Sequence, residues 1–393
     1  MSEVVCETPH VKVSAHWGGV FAMTLAIFVL IASEFMPVSL LTPIARDLAI
    51  TEGQAGRGIA ISGAFAVLTS LLLPAIAGRL DRKYLLSGMT ALMAISGVTI
   101  ALAHSYPVYM VGRALIGIAI GGFWSISTAT AMRLVPPHRV PRALAIFNSG
   151  NALATVVAPP LGSYLGTTVG WHGAFLCLVP VAVVALLWQG FSLPAMKAAD
   201  SGKAQGGVYR RLCRPVVLLG LLACGGFYMG QFALFTYLRP FLEHVTRVSA
   251  GTLSLMLLIT GMAGVVGTLV ISPLFSRRLW PVLIAIPLVM AAIAGILMLA
   301  GHHAWVVAPL LAGWGMVSTA APVGWWTWLA RTLPGEAEAG GGLMVAVIQL
   351  SIAMGSTAGG MMFDQYGWQS AFGLSGVLLV CAAVLTFRLA RRG

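Results

Sequence analysis

Charge is scarce in this chain of 393 residues: only 9% are Asp, Glu, Lys or Arg, and acids are the rarer sign, 11 against 23 bases. A soluble globular domain carries about 25% charged residues, so a fully water-facing surface is excluded. Five cysteines, Cys6, Cys177, Cys213, Cys224 and Cys381, share no metal-like or disulfide-like spacing and read as incidental apolar residues. There is no G-x-x-x-x-G-K-[ST] phosphate loop and no H-E-x-x-H zinc pair. His302 and His303 have no acidic or cysteine companions, so no metal and no cofactor is expected. The first sixteen residues set Glu3 and Glu7 against Lys12 and lack a basic n-region, so no cleavable signal peptide is expected. The net charge of +12 is dispersed over short loops, which speaks against nucleic acid as a partner.

Apolar residues are what the chain has in abundance, 59% of it, with a mean hydropathy of +0.92. A helix needs about 20 apolar residues to cross ~30 Å of hydrocarbon. Twelve segments qualify, at about 17–43, 54–77, 85–103, 108–132, 143–166, 173–193, 215–240, 250–275, 282–300, 305–330, 340–362 and 371–388. Thr51-Glu52-Gly53-Gln54 has the form of a capping box opening the second segment. Eighteen of the twenty-three bases fall on one side of the implied membrane, among them Arg79, Arg82, Lys83, Arg133, Arg139, Arg142, Arg277, Arg278, Arg331 and Arg388. Arg46, Arg57, Arg239 and Arg247 fall on the other, and Arg113 lies inside a span. Bases concentrate in cytoplasmic loops, so both termini are expected in the cytoplasm.

The longest polar interval falls at mid-chain and divides it into 1–193, a linker 194–214, and 215–393. The two parts repeat. Gly170-Trp171-x-x-Ala174-Phe175 recurs as Gly367-Trp368-x-x-Ala371-Phe372 at an offset of 197, and Arg133-x-x-Pro136 as Arg331-x-x-Pro334 at 198. Pro74-x4-Arg79-Leu80 recurs as Pro273-x4-Arg278-Leu279 at 199. The expected fold is therefore all-α and integral to the membrane, twelve transmembrane helices in two pseudo-symmetric six-helix halves in parallel orientation.

Glu34 is the one acid in the first apolar segment. A carboxyl in hydrocarbon costs roughly 2.5–3.5 kcal/mol, so it normally faces a cavity and has a task. Proton exchange is that task here; a structural carboxyl locked to a neighbouring helix is the alternative. The repeat maps Glu34-Phe35-x7-Pro43 onto Gln231-Phe232-x7-Pro240, so the mate of Glu34 is an amide that cannot ionise. Gln231 is free to hold substrate, or to bond a neighbouring helix. Arg113 lies ~7 Å deep in the fourth span and Glu34 ~13 Å from Pro43, which puts them within reach of each other. Coupling to Glu34 and snorkelling to the interface are the two readings of Arg113. Phe123 and Trp124 sit ~13–15 Å from the cytoplasmic interface, and Asn148, Asn151, Tyr228 and Gln349 are polar groups on other spans. Together with Gln231 they supply a flat apolar surface, donors and acceptors at that depth, which permit but do not demand stacking of a solute ring. Trp325 and Trp328 are expected to belong to an interfacial aromatic belt.

Arg113-x3-Gly117 resembles the arginine motif of the major facilitator superfamily. Ala154-x3-Ala158-Pro159-Pro160-Leu161-Gly162 resembles its exporter motif, with alanine for the first two glycines, a signature of drug/proton-antiporter-type exporters. Gly78-Arg79-Leu80-Asp81-Arg82-Lys83 resembles the gate motif, shortened by one residue before the aspartate and lacking the second glycine. The resemblance assigns gating to Gly78, Asp81, Arg82, Pro159 and Gly162. Longer runs, Glu34 to Pro43, Gly121 to Trp124, Met132 to Pro137, Gly230 to Pro240, Pro322 to Trp325 and Val345 to Leu350, resemble the bacterial purine ribonucleoside efflux permeases. That resemblance implies a monomeric inner-membrane antiporter exporting inosine-like and guanosine-like nucleosides and purine base analogues against protons. Export of an arabinose-like sugar or an amphipathic drug is the alternative within the same architecture.

Overall fold

The computed structural model describes residues 15–76, 80–196, 214–333 and 337–392. Residues 197–213 of the expected linker, and Gly78 and Arg79 of the expected gate, lie outside them. The helices are α1 Trp17–Asp47, α2 Glu52–Ile76, α3 Arg82–Ala101, α4 Tyr106–Arg133, α5 Val140–Thr168, α6 Gly170–Ser192 and α7 Pro215–Phe235. They continue with α8 Leu238–His244, α9 Ala250–Ile271, α10 Leu274–Ala300, α11 Ala304–Ser318, α12 Ala321–Thr332, α13 Ala337–Tyr366 and α14 Trp368–Ala390. Twelve spans result, because α7 with α8 and α11 with α12 each form one crossing.

Proline explains both breaks. Its ring clashes with the carbonyl four residues back and offers no N–H to it. Pro240 disrupts the turn at Thr236 and Tyr237, and Pro322 the turn at Thr319 and Ala320. α2 opens on the anticipated capping box: the Gln54 N–H donates to Thr51 Oγ1 at 3.0 Å, and the Thr51 N–H donates to Gln54 Oε1 at 3.0 Å.

The repeat is visible in the backbone. Among the described residues, four have positive φ and they form two pairs, Ala49 (53°) with Arg247 (56°) and Gly170 (75°) with Gly367 (84°). Their offsets are 198 and 197, those of the sequence repeat. The left-handed conformation favours glycine, which is why Gly170 and Gly367 recur where two helices meet at a sharp corner.

Each half has its own apolar core, one around Met23, Ile27, Ile116, Phe123 and Phe147, the other around Phe227, Leu253, Trp314, Trp325, Trp328 and Phe372. Trp325 and Trp328 thus correct an expectation: both are buried, edge to face at 6.0 Å, and belong to the core rather than to an interfacial belt. The core wins because Gly220 of α7 leaves the space that the Trp328 ring fills. Between the halves, α2 packs on α13 and α5 on α9, a reciprocal arrangement that follows from the pseudo-symmetry.

α1 and α5 are pressed together by the exporter-like motif. Gly150, Ala154, Ala158, Gly162 and Gly166 recur every four residues along α5. A Cβ on Gly150 would lie 2.3 Å from the Thr24 carbonyl, and one on Gly162 would lie 2.5 Å from Ser39 Oγ. Small residues at this spacing let two backbones approach where apolar side chains gain nothing over lipid.

Candidate functional site

Glu34 lies midway along α1 and is 6% exposed. Its Oε1 accepts a hydrogen bond of 3.1 Å from Nε2 of Gln349, which is 7% exposed and sits on α13 in the opposite half. The two residues are 315 positions apart and meet where the halves face each other. Phe35, next to Glu34, stacks on Phe232, next to Gln231, with centroids 6.0 Å apart and rings 26° from parallel. The repeat-mates Phe35 and Phe232 therefore meet across the pseudo-symmetry axis.

Arg113 is fully buried, and glycine brings it into place. A Cβ on Gly117 would lie 2.3 Å from the Ser62 carbonyl and one on Gly121 2.1 Å from that of Ala66, so only glycine admits this approach of α4 to α2. Nε of Arg113 then donates to the Gly58 carbonyl (3.0 Å), Nη1 to that of Ser33 (2.9 Å) and Nη2 to Ser62 Oγ (3.0 Å). Ser33 is four residues before Pro37, so its carbonyl is the one that Pro37 leaves without a helical partner. Ser39 stands in the same relation to Pro43, and Nη1 of Arg239 from the other half donates to its carbonyl. α1 crosses both prolines unbroken because two arginines satisfy the freed carbonyls. Its burial overturns the snorkelling reading of Arg113; among the described residues it forms no ion pair with Glu34 but holds the peptide that precedes it.

The other residues expected at the site divide. Gln231 is half-buried, and its Oε1 is enclosed without a hydrogen-bond partner, an acceptor left open. Tyr228, three residues earlier on α7, is buried edge to face with Phe227. Trp124 is half-buried, edge to face with Phe147, and shares a stripe of α4 with Arg113, Gly117 and Thr128 by helical spacing. Phe123 is fully buried in the core of its half, turned from that stripe. On α5, exposed Asn148 bonds its own helix at the Leu144 carbonyl, and Asn151 is half-buried. Asn148, Asn151 and Thr155 share one polar stripe, away from Leu153 and Tyr164. Asn151 is also 198 positions before Gln349, the offset of the repeat.

At the ends, Asp81 caps α3 through the Lys83 N–H (2.8 Å) and accepts from the Met196 N–H (2.9 Å), while the Arg82 N–H donates to the Met196 carbonyl. It ties the end of α6 to α3 within one half. Pro159 is buried, and Gly162 is buried against α1. At the end of the bundle away from the termini, Asp364 of α13 accepts from Thr51 Oγ1 (2.6 Å) and from the Gly53 N–H (3.1 Å), which caps α2 from the opposite half. Glu52 faces His244 of α8 at 3.9 Å. Hydrogen bonds thus join the halves from Glu34 to this end. The halves are closed there. The arginine-held carbonyls and the Asp364 cap escaped the sequence reading, although counting back four residues from each proline points to Ser33 and Ser39.

The Major Facilitator Superfamily pattern matches residues 23–356. The Escherichia coli K12 protein named Purine ribonucleoside efflux pump NepI is 37% identical over 370 residues, 94% of this chain and 93% of its own. A Pseudomonas aeruginosa protein named Transcription regulatory protein OpdE is 59% identical over 381 residues, 96% and 95% of the two chains. Among solved structures, a D-xylose-proton symporter covers 96% of this chain and 98% of its own with a TM-score of 0.76 and 17% identity. A bacterial homologue of the lysosomal transporter Spinster, in an inward-facing unoccupied conformation, gives a TM-score of 0.75 at 17% identity, covering 96% and 97%.

Proposed function

This chain belongs to the major facilitator superfamily, and on that premise we propose that it exports purine ribonucleosides, inosine and guanosine together with purine base analogues, in exchange for protons. The observation that carries the reading is a buried carboxyl, Glu34, alone of its kind among the described residues and hydrogen-bonded across the boundary of the two halves, with an enclosed acceptor left open, Gln231 Oε1, on its repeat-mate helix. The first is suited to a proton, the second to a donor on a neutral solute. The name of the 37% identical efflux pump supports the solute class. In this reading Glu34 carries the proton and Arg113 sets its surroundings. Trp124, Asn148, Asn151, Tyr228, Gln231 and Gln349 contact the nucleoside, and Phe123 backs Trp124 from the core. Asp81, Arg82, Pro159 and Gly162 serve the gating movement. Halves 1–193 and 215–393 rock as units in a monomer of the inner membrane, with both termini cytoplasmic and the Asp364 end outermost. One proton moving down 100 mV supplies ~2.3 kcal/mol, enough for a roughly 50-fold gradient of a neutral nucleoside.

Inside-out vesicles supplied with labelled inosine, guanosine and arabinose test the substrate. Proton-driven uptake of the nucleosides supports the proposal; uptake of arabinose alone moves the assignment to sugar export. The 59% identical relative named as a transcription regulator favours a second reading, in which the chain alters gene expression. An exporter does this indirectly by lowering the cytoplasmic concentration of an inducer. Deletion and the transport-dead Glu34→Gln variant then give the same transcriptional change; normal expression with Glu34→Gln separates regulation from transport.

A further inference from the structure

An exchanger has one kinetic requirement that its binding sites do not guarantee. The empty carrier must not change conformation, or proton and solute cross singly and the gradient is dissipated. We infer that the hydrogen bond from Gln349 to Glu34 is the latch that enforces exchange. The inference rests on the exporter reading and extends it.

Glu34 belongs to α1 and Gln349 to α13, so their 3.1 Å bond spans the boundary that must open when the halves rock. Both side chains are over nine-tenths buried, where a hydrogen bond is stronger than it is in water. Arg113 of α4 is bonded to the Ser33 carbonyl, one residue before Glu34, and Gln349 is the side-chain hydrogen-bond partner of the carboxyl. Arg113 is already occupied by three oxygens of α1 and α2 and stays with its own half. The bond across the boundary therefore reads the state of Glu34 alone. With Glu34 ionised and no substrate present, the amide donates to a full negative charge, and such bonds are roughly twice as strong as neutral ones. The empty carrier is then held closed at the Asp364 end.

Two events release it. A proton on Glu34 removes the charge and weakens the bond. A nucleoside does so by taking the Gln349 amide for its own acceptor, with Gln231 Oε1 ready for one of its donors. Each singly loaded form crosses and the empty form does not, which is the rule an exchanger needs. The pseudo-symmetric position carries no such latch, because Gln231 cannot ionise.

The full chain in proteoliposomes, with a pH-sensitive dye inside and an imposed pH gradient, tests this. In the parent, proton flux is expected to be slow without substrate and to rise when inosine is added. Gln349→Met, of similar volume but without a donor, is expected to raise substrate-free proton flux roughly tenfold. Gln349→Asn keeps the amide but shortens its reach, and serves if the methionine variant does not fold. The double variant Glu34→Gln, Gln349→Met is expected to be tight, since no carboxyl remains to carry the proton. Folded Gln349 variants as tight as the parent overturn the latch, and so does a leak that persists in the double variant. A parent whose proton flux responds to no nucleoside or sugar fails at the exporter reading instead.

Discussion

Glu34 holds its place through its neighbours more than through its own bonds. The backbone before it is fixed by Arg113 through the Ser33 carbonyl, and the carboxylate has one hydrogen bond, to a residue of the other half. A carboxyl held so loosely by its own half can change its charge without unfolding it. Glu34→Gln copies the repeat-mate Gln231, keeps the volume and removes only ionisation. It is expected to bind nucleoside equally at pH 6 and pH 8, where the parent shows pH dependence, and to lose proton-driven efflux. Binding assays at the two pH values and transport in proteoliposomes check this; full gradient-driven efflux by the variant would remove Glu34 from its role.

Among the helices, α1 and α5 show how a transporter half becomes a rigid unit. Lipid tails are as apolar as leucine, so the pair gains from close packing and not from hydrophobic burial. The four-residue ladder from Gly150 to Gly166 provides that closeness, with Gly162 against Met36 and Ser39. Gly162→Leu must displace α1 from α5 and is expected to lower stability by about 1–3 kcal/mol or more, the usual cost of overpacking. Leu161→Ala, at an exposed neighbour on the same turn, is expected to change it far less. Thermal unfolding of the purified variants in detergent compares the two; equal losses would mean that the ladder does not set the packing.

For the assembled chain, even span number puts both termini on one side, and the bias of Lys and Arg is the ground for the proposal that this side is cytoplasmic. Reporter fusions after Ala199 and after Gly393 are expected to read as cytoplasmic, and one at His303 as external. An external signal after Ala199 would reverse the orientation and would put the closed Asp364 end on the inside.

The twelve spans, the division into halves and the identity of Glu34 and Gln231 as repeat-mates were legible in the residues. Hydropathy over about 20 positions and a repeat at 197–199 are properties of a line of letters, and the membrane leaves helices as the spanning option for an apolar run of that length. What Glu34 touches was not legible, because Gln349 lies 315 positions away and its approach depends on how two halves rest on each other. Arg113 was recognised as a buried charge, but its partners were not: three oxygens on two helices select it only once Gly117 and Gly121 have brought α4 against α2. Trp325 and Trp328 looked interfacial by their distance from Arg331, and the space left by Gly220 buried them instead. Depth along a helix follows from counting residues; the direction a side chain faces, and what meets it there, is set by packing between helices far apart in the chain.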